Sequence, residues 1–246
     1  MVTRRHFLRS VTATAALAAG GLPLAGIAGE RGPVVVELFT SQGCSSCPAA
    51  DKFLHELSGR GDVIALSLHV DYWNYMGWVD PFSRSENSAR QRGYKAAMGL
   101  RYVYTPQMVV DGRSQAVGTE REAVERLIRE ASVKPHLPIQ LHQDGSTITA
   151  GLPAGVSPAG SPAVVWLAVF ERTRKTAVDK GENSGRSIVN THVVRSLMPI
   201  GEWAGEAVRL TYVSDVLTAG RGAAVIVQKK DFGPILGAAM IRPPTS

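Results

Sequence analysis

The sequence predicts an α/β fold in two parts: alternating strands and helices over residues 33–133, then a small β-sandwich-like unit over residues 137–242. Three observations carry this. Apolar runs of strand length at 34–39 and 63–70 enclose an amphipathic helical pattern, the signature of a parallel pair joined by a helix. Two prolines in Lys134-Pro135-His136-Leu137-Pro138 mark a boundary, because the residue before a proline avoids the helical region. Beyond them, seven short apolar or alternating runs are broken by glycine-containing turns, with no helical period.

The first residues read as an address. Thr3-Arg4-Arg5-His6-Phe7-Leu8-Arg9 precedes the Ala-rich segment Val11 to Ala19 and the small residues Gly26-Ile27-Ala28. This is the layout of an export signal over residues 1–28, cleaved after Ala28, and its paired arginines resemble the twin-arginine type. An ordinary secretory signal or an uncleaved anchor is the alternative. The expected destination is the periplasm. Removing 1–28 takes Arg4, Arg5 and Arg9 and no acid, which lowers the formal charge from +6 to +3. That excess, with no basic stripe interleaved with aromatics, argues against a nucleic-acid partner. No later run of 18 strongly apolar residues predicts a transmembrane segment in the mature chain. The two cysteines lie three apart in one motif, which is not a disulfide scaffold.

Val34 to Phe39 has the length and composition of a central strand. Ser41-Gln42-Gly43 turns the chain into Cys44-Ser45-Ser46-Cys47-Pro48, and Ala50, Phe53, Leu54 and Leu57 form one stripe of a helix. Pro48 suits the first helical turn, where a missing N–H costs nothing. Both thiols therefore sit where a helix N-terminus favours a thiolate. Cys44 is the expected attacking sulfur and the more exposed; Cys47 is the expected resolving one. A purely structural bridge is a weak alternative, since closing so short a loop stabilises by only about 2 kcal/mol, against nearly 5 for a hundred-residue loop. Such a pair carries electrons without an organic cofactor.

Val63 to Val70 reads as the second buried strand. The aromatic stretch Asp71 to Phe82 leaves its end, where loops of open α/β sheets gather around a site. Trp73 and Trp78 there, with Tyr104 further on, are candidate substrate contacts; the alternative is a loop that caps the core. Ser83 to Met98 is expected to be helical, with Arg84, Arg90, Arg92 and Lys95 on its solvated side. Pro106 belongs at the start of a strand, Gln107–Val110, because it cannot donate into a ladder. Asp111-Gly112 predicts a hairpin to Ser114–Val117. Thr119 is placed to cap a helix from Glu120 to Ala131, whose Val124, Leu127, Ile128 and Ala131 keep helical spacing.

The resulting order β-α-β-α-β-β-α, with C-x-x-C after the first strand and Thr105-Pro106 before the third, resembles the thioredoxin fold. The resemblance implies a thioredoxin-like domain over 33–133, a cis Pro106 beside the cysteines, and a Thr105 backbone that pairs with a substrate chain. The intervening Ser45-Ser46 matches neither the Gly-Pro of reducing relatives nor the Pro-His of oxidising ones, so the direction of electron flow stays open. Glu37, seven residues before Cys44, stands near the place of a buried acid that moves protons for the resolving thiol, one residue further away than in that family. A Glu at the strand's edge, or paired with a nearby Arg, is the alternative. His69 and Asp71 beside the thiols suggest a copper or zinc site as a further alternative, although copper chaperones of this fold space their cysteines differently.

In the second half, strands are expected at 139–142, 147–152, 163–171, 189–196, 207–213, 223–228 and 235–241. Glu182-Asn183-Ser184-Gly185-Arg186 and His192 to Arg195 are its polar features, read as a solvated turn in preference to a binding loop. Glu37 to Pro48, Asp71-Tyr72-Trp73, Tyr104 to Gln107 and Glu182 to Arg186 are together similar to the bacterial exported family called domain of unknown function 1223. The combined reading is a periplasmic thiol–disulfide oxidoreductase acting on a protein or small-thiol partner. A non-enzymatic binding or scaffold protein is the competing reading, and metal delivery the third.

Overall fold

The computed structural model describes residues 31–156, 161–213 and 220–243. The export signal expected over 1–28, and part of the turn between the strands expected at 147–152 and 163–171, lie outside the described residues. The first half runs β1 (Val34–Thr40), α1 (Cys47–Ser58), β2 (Val63–His69), α2 (Ser85–Ala97), β3 (Gln107–Val110), β4 (Ser114–Val117) and α3 (Arg121–Ser132). The second half runs β5 (Gln140–Asp144), β6 (Thr147–Leu152), β7 (Ala163–Ala177), β8 (Ser187–Trp203), β9 (Val208–Val213), β10 (Arg221–Gln228) and β11 (Ile235–Ile241). The expected order of strands and helices is observed. Strands β7 and β8 are far longer than their apolar cores, at 15 and 17 residues, because they continue as a polar ribbon.

One eight-stranded sheet, in the order β11-β10-β7-β8-β2-β1-β3-β4, takes strands from both halves. Strand β1 pairs parallel with β2 and antiparallel with β3. It is buried along its whole length, so its side chains sort by parity. Val34, Val36 and Leu38 face α1 and α3, in a core with Phe53, Leu54, Leu57, Val124 and Ile128. Val35 and Phe39 face the other way, into a core that also holds Tyr94 of α2, Phe170, Val194, Ala224 and Ile226. The second half thus helps to bury the first. A three-stranded sheet, β5-β6-β9, covers the outer strands as a second layer, with Ile148, Ala150 and Leu210 against Val165, Leu167 and Val225.

The hairpin turn joins the halves. Three residues, 111 to 113, connect Val110 to its partner Ser114; Asp111 and Gly112 both have positive φ, 52° and 60°, as the central pair of a primed turn requires. The Asp111 carboxylate accepts from the Val35 amide at 3.0 Å and meets His136 Nε2 at 2.8 Å, so the proline-flanked boundary is pinned to β1.

Two expectations fail here. Thr119 does not cap α3: Glu120 precedes the helix, and no side chain caps it. Arg90 is not solvated. It is buried, and its guanidinium holds the Glu37 carboxylate through Nε at 2.5 Å and Nη2 at 3.1 Å. Glu37 points away from α1 into the second core, and a carboxylate buried there needs a cation.

Candidate active site

Strand β1 ends at Thr40 and the chain turns at once into the cysteines. Gly43 lets Trp73 approach this turn closely: a Cβ there would lie 3.2 Å from the Trp73 Cβ and 3.4 Å from the Trp73 carbonyl. Cys44 sits in the turn and Cys47 opens α1, with Pro48 in its first turn. The two sulfurs form a disulfide across a Cα–Cα distance of 5.4 Å. Ser46 Oγ lies 3.3 Å from Cys44 Sγ, so one hydroxyl of the intervening pair reaches the sulfur. The Thr105–Pro106 peptide is cis, and the Thr105 carbonyl is 3.9 Å from Cys44 Sγ. The pair and the proline therefore face each other.

Cys44 is not the exposed sulfur of the expectation. It is 1 % exposed and Cys47 is 0 % exposed, while Ser45 and Ser46 take the surface positions. The cover comes from two sides. Trp73 packs against Gly43, and its indole N–H donates to the Thr105 hydroxyl at 2.7 Å. On the other side the Glu182–Arg186 segment clasps the turn. Fully buried Asn183 donates from Nδ2 to the Gln42 and Cys44 carbonyls, both at 2.9 Å, and Glu182 accepts from the Ser45 amide at 3.0 Å. Arg186 in turn donates from Nη1 to the side-chain Oδ1 of Asn183 at 3.0 Å. The segment read as a solvated turn is a clamp on the cysteine loop.

Gln42 ties the remaining loops to this point. Its amide N–H donates to Asp80 at 2.8 Å, its side chain donates to Asn190 at 2.9 Å, and its Oε1 accepts from Trp78 Nε1 at 3.2 Å. Trp73 and Trp78 are thus half-buried members of the wall around the turn. Tyr104 is half-buried beside Thr105; its carbonyl accepts from Gln91 at 2.7 Å and its hydroxyl donates to Gln115. Burial pushes the Tyr104 phenol up to about 12.

Beneath the disulfide, on the α1 side of the sheet, is a buried polar cluster. Thr40 of β1 and His69 of β2 fall on that side by strand parity, and Asp51 reaches them from α1. His69 Nδ1 meets Asp80 at 2.7 Å. Burial opposes charging His69, but the neighbouring Asp80 carboxylate outweighs it and raises the imidazole; burial likewise opposes the Asp80 charge, and His69 reverses that. The pair is ionic. Asp51 differs: burial pushes its carboxyl up to about 7, with His69 and Thr40 only partly countering.

The residues singled out from the sequence separate accordingly. Cys44, Cys47, Thr105, Pro106 and Trp73 come together. Glu37 does not join them, being held by Arg90 on the opposite side of β1. His69 and Asp71 do not form a pair, since Asp71 accepts from Ser88 at 2.5 Å. Among the described residues no three His, Cys, Asp or Glu side chains are grouped to hold a metal ion. Gln42, Asp51 and Asp80 have no role in the sequence reading, and Asn183 lies in the segment read as a solvated turn in preference to a binding loop. For Asp51 a signal existed: with Cys47, Ala50 and Leu54 it lies at i, i+3, i+4 and i+7, a carboxylate on the apolar stripe of α1.

Fold and site define an α/β protein with a buried C-x-x-C disulfide facing a cis proline. The chain belongs to the family described as protein of unknown function DUF1223, whose model matches residues 35–228. It is similar to the crystal structure of protein AGR_C_4864 from Agrobacterium tumefaciens, with 33% identity, a TM-score of 0.75, and coverage of 89% of this chain and 98% of that one. HBP35 of Porphyromonas gingivalis shares the fold at 14% identity and a TM-score of 0.62, over 88% of this chain and 78% of that one. No curated protein matches the chain.

Proposed function

We propose that this protein is an exported thiol–disulfide oxidoreductase on a thioredoxin-like scaffold, with Cys44 and Cys47 as its redox pair. The observation that carries the reading is the disulfide at the start of α1 with the cis Thr105–Pro106 peptide 3.9 Å from Cys44 Sγ. A partner thiolate attacks Cys44, the S–S bond breaks, and Cys47 leaves with the electron pair. Thr105 would align the partner chain, and Trp73, Trp78 and Tyr104 would form the wall it meets. The partner is a protein or small thiol, and the residue pattern of 1–28 supports action in the periplasm. The closed cover means that exchange requires Trp73 and the Asn183 clamp to move.

That same burial favours a second reading, a binding protein in which the disulfide only braces the turn. The two part on one experiment. A Cys47→Ser variant retains Cys44 as a free thiol; under the first reading it accumulates mixed disulfides with periplasmic thiols or glutathione. A Cys44 thiol that stays unmodified in folded protein supports the brace.

A further inference from the structure

The geometry points to Asp51 as the acid that protonates Cys47 when the disulfide opens and takes the proton back when it closes. This rests on the redox reading above. Cys47 and Asp51 are four residues apart on α1 and both are buried, at 0 % and 3 % exposure. Residues at that spacing stack on one helix face, with Cβ atoms about 5–6 Å apart. Asp51 is therefore one turn below the leaving sulfur.

The surroundings are built for a group that changes charge. Asp51 Oδ1, Thr40 Oγ1, His69 Nε2 and Asn190 Nδ2 are buried and have no hydrogen-bond partner. They come from α1, β1, β2 and β8 and face one another without closing a hydrogen bond; burial raises the Asp51 carboxyl most, and His69, Thr40 and Asn190 each act to lower it. Ser67 Oγ, on the same side of β2 as His69, is also unpartnered. Buried polar atoms in native proteins are nearly always satisfied, so such a cluster calls for a reason. Donors gathered around a buried carboxyl suit a group that gives and takes a proton.

The charges facing Asp51 are those of the His69–Asp80 pair, which cancel, with Arg195 of β8 acting on His69. His55, one turn further along α1, is engaged with Thr191 at 2.9 Å. A protonated Asp51 leaves the pocket neutral; an ionised one faces the imidazolium. A Cys47 thiolate beside an Asp51 carboxylate puts two like charges one helical turn apart, which favours their sharing a single proton.

The step balances. The partner thiolate forms a bond to Cys44 Sγ, the Cys44–Cys47 bond breaks, Cys47 Sγ keeps the electron pair and accepts the Asp51 proton, and Asp51 becomes a carboxylate. In reverse, that carboxylate deprotonates Cys47, which attacks the mixed disulfide and expels the partner.

The test is reduction of the oxidised full chain by dithiothreitol between pH 5.5 and 8.5, with each rate expressed per dithiothreitol thiolate. The wild type should slow about tenfold as pH rises through about 7, as general-acid assistance is lost. Asp51→Asn should be slower at pH 6 by tenfold or more and should lack the inflection. An unchanged profile in Asp51→Asn overturns the assignment while the cysteines remain redox-active. Failure of the wild-type disulfide to reduce and re-form at any pH removes the redox reading itself. Should Asp51→Asn fail to fold, infrared difference spectra of the wild type at pH 6 decide. A buried protonated carboxyl band that shifts on reduction supports the role; a redox-insensitive carboxyl region contradicts it.

Discussion

Asn183 and Asp51 show how much at this site rests on single side chains. Asn183→Ala leaves the Gln42 and Cys44 carbonyls without their shared donor, and each buried unsatisfied group costs about 1–3 kcal/mol. The variant should therefore melt several degrees lower, and its disulfide should be reduced faster by dithiothreitol because the clamp is gone. Scanning calorimetry and a reduction time course check both. Asp51 makes stability depend on pH in an unusual direction. Its folded carboxyl titrates at about 7 against an ordinary 3.8, so the folded state holds a proton that the unfolded chain releases. That contribution is complete below about pH 4 and is lost as pH rises through 7. Asp51→Asn, which cannot ionise, should gain in melting temperature on the wild type between pH 4 and pH 8, by several degrees. A gap independent of pH contradicts the burial argument. Neither residue's role is fully legible in the sequence. Asp51 breaks the apolar stripe of α1, which is a visible signal; Asn183 lies 139 residues from the carbonyl of Cys44 that it holds, and no local pattern encodes that.

At the scale of elements the sequence is far more informative. Strand β1, helix α1 and the β3–β4 hairpin follow from period and turn chemistry, because burial on both faces leaves continuous apolar runs and a tight turn with positive φ at two successive residues selects Asp-Gly. The polarity of α2 misleads for a physical reason: an arginine opposite a buried carboxylate looks, in sequence, like one facing solvent. Glu37 and Arg90 join β1 to α2 within a core that Tyr94 and Gln228 complete. Glu37→Gln strands the Arg90 charge and should cost about 3–5 kcal/mol, the usual penalty for halving a buried pair. It should leave the pH profile of disulfide reduction unmoved, since Glu37 is on the opposite side of β1 from α1. Chemical denaturation together with that profile separates a structural acid from a proton carrier.

Across the whole molecule, the site belongs to both halves. The disulfide, Trp73 and Thr105 come from residues before the proline-flanked boundary; Glu182, Asn183 and Asn190 come from after it. Strand β8 meets β2 in parallel at Ser67 and Val193, which sets the clamp over the turn and Asn190 beside Gln42. Pairing between strands so far apart depends on register and topology, so the join of the two halves into one sheet is not readable from periodicity. The central claim is that this enclosed disulfide is a working redox couple. Its most direct test is equilibration of the full chain across a series of reduced-to-oxidised dithiothreitol ratios, with the Cys44 and Cys47 thiols counted by alkylation. The account predicts one reversible two-electron transition, with the same curve from either direction and a fold intact in both states. Cysteines that stay oxidised until the protein unfolds would contradict it.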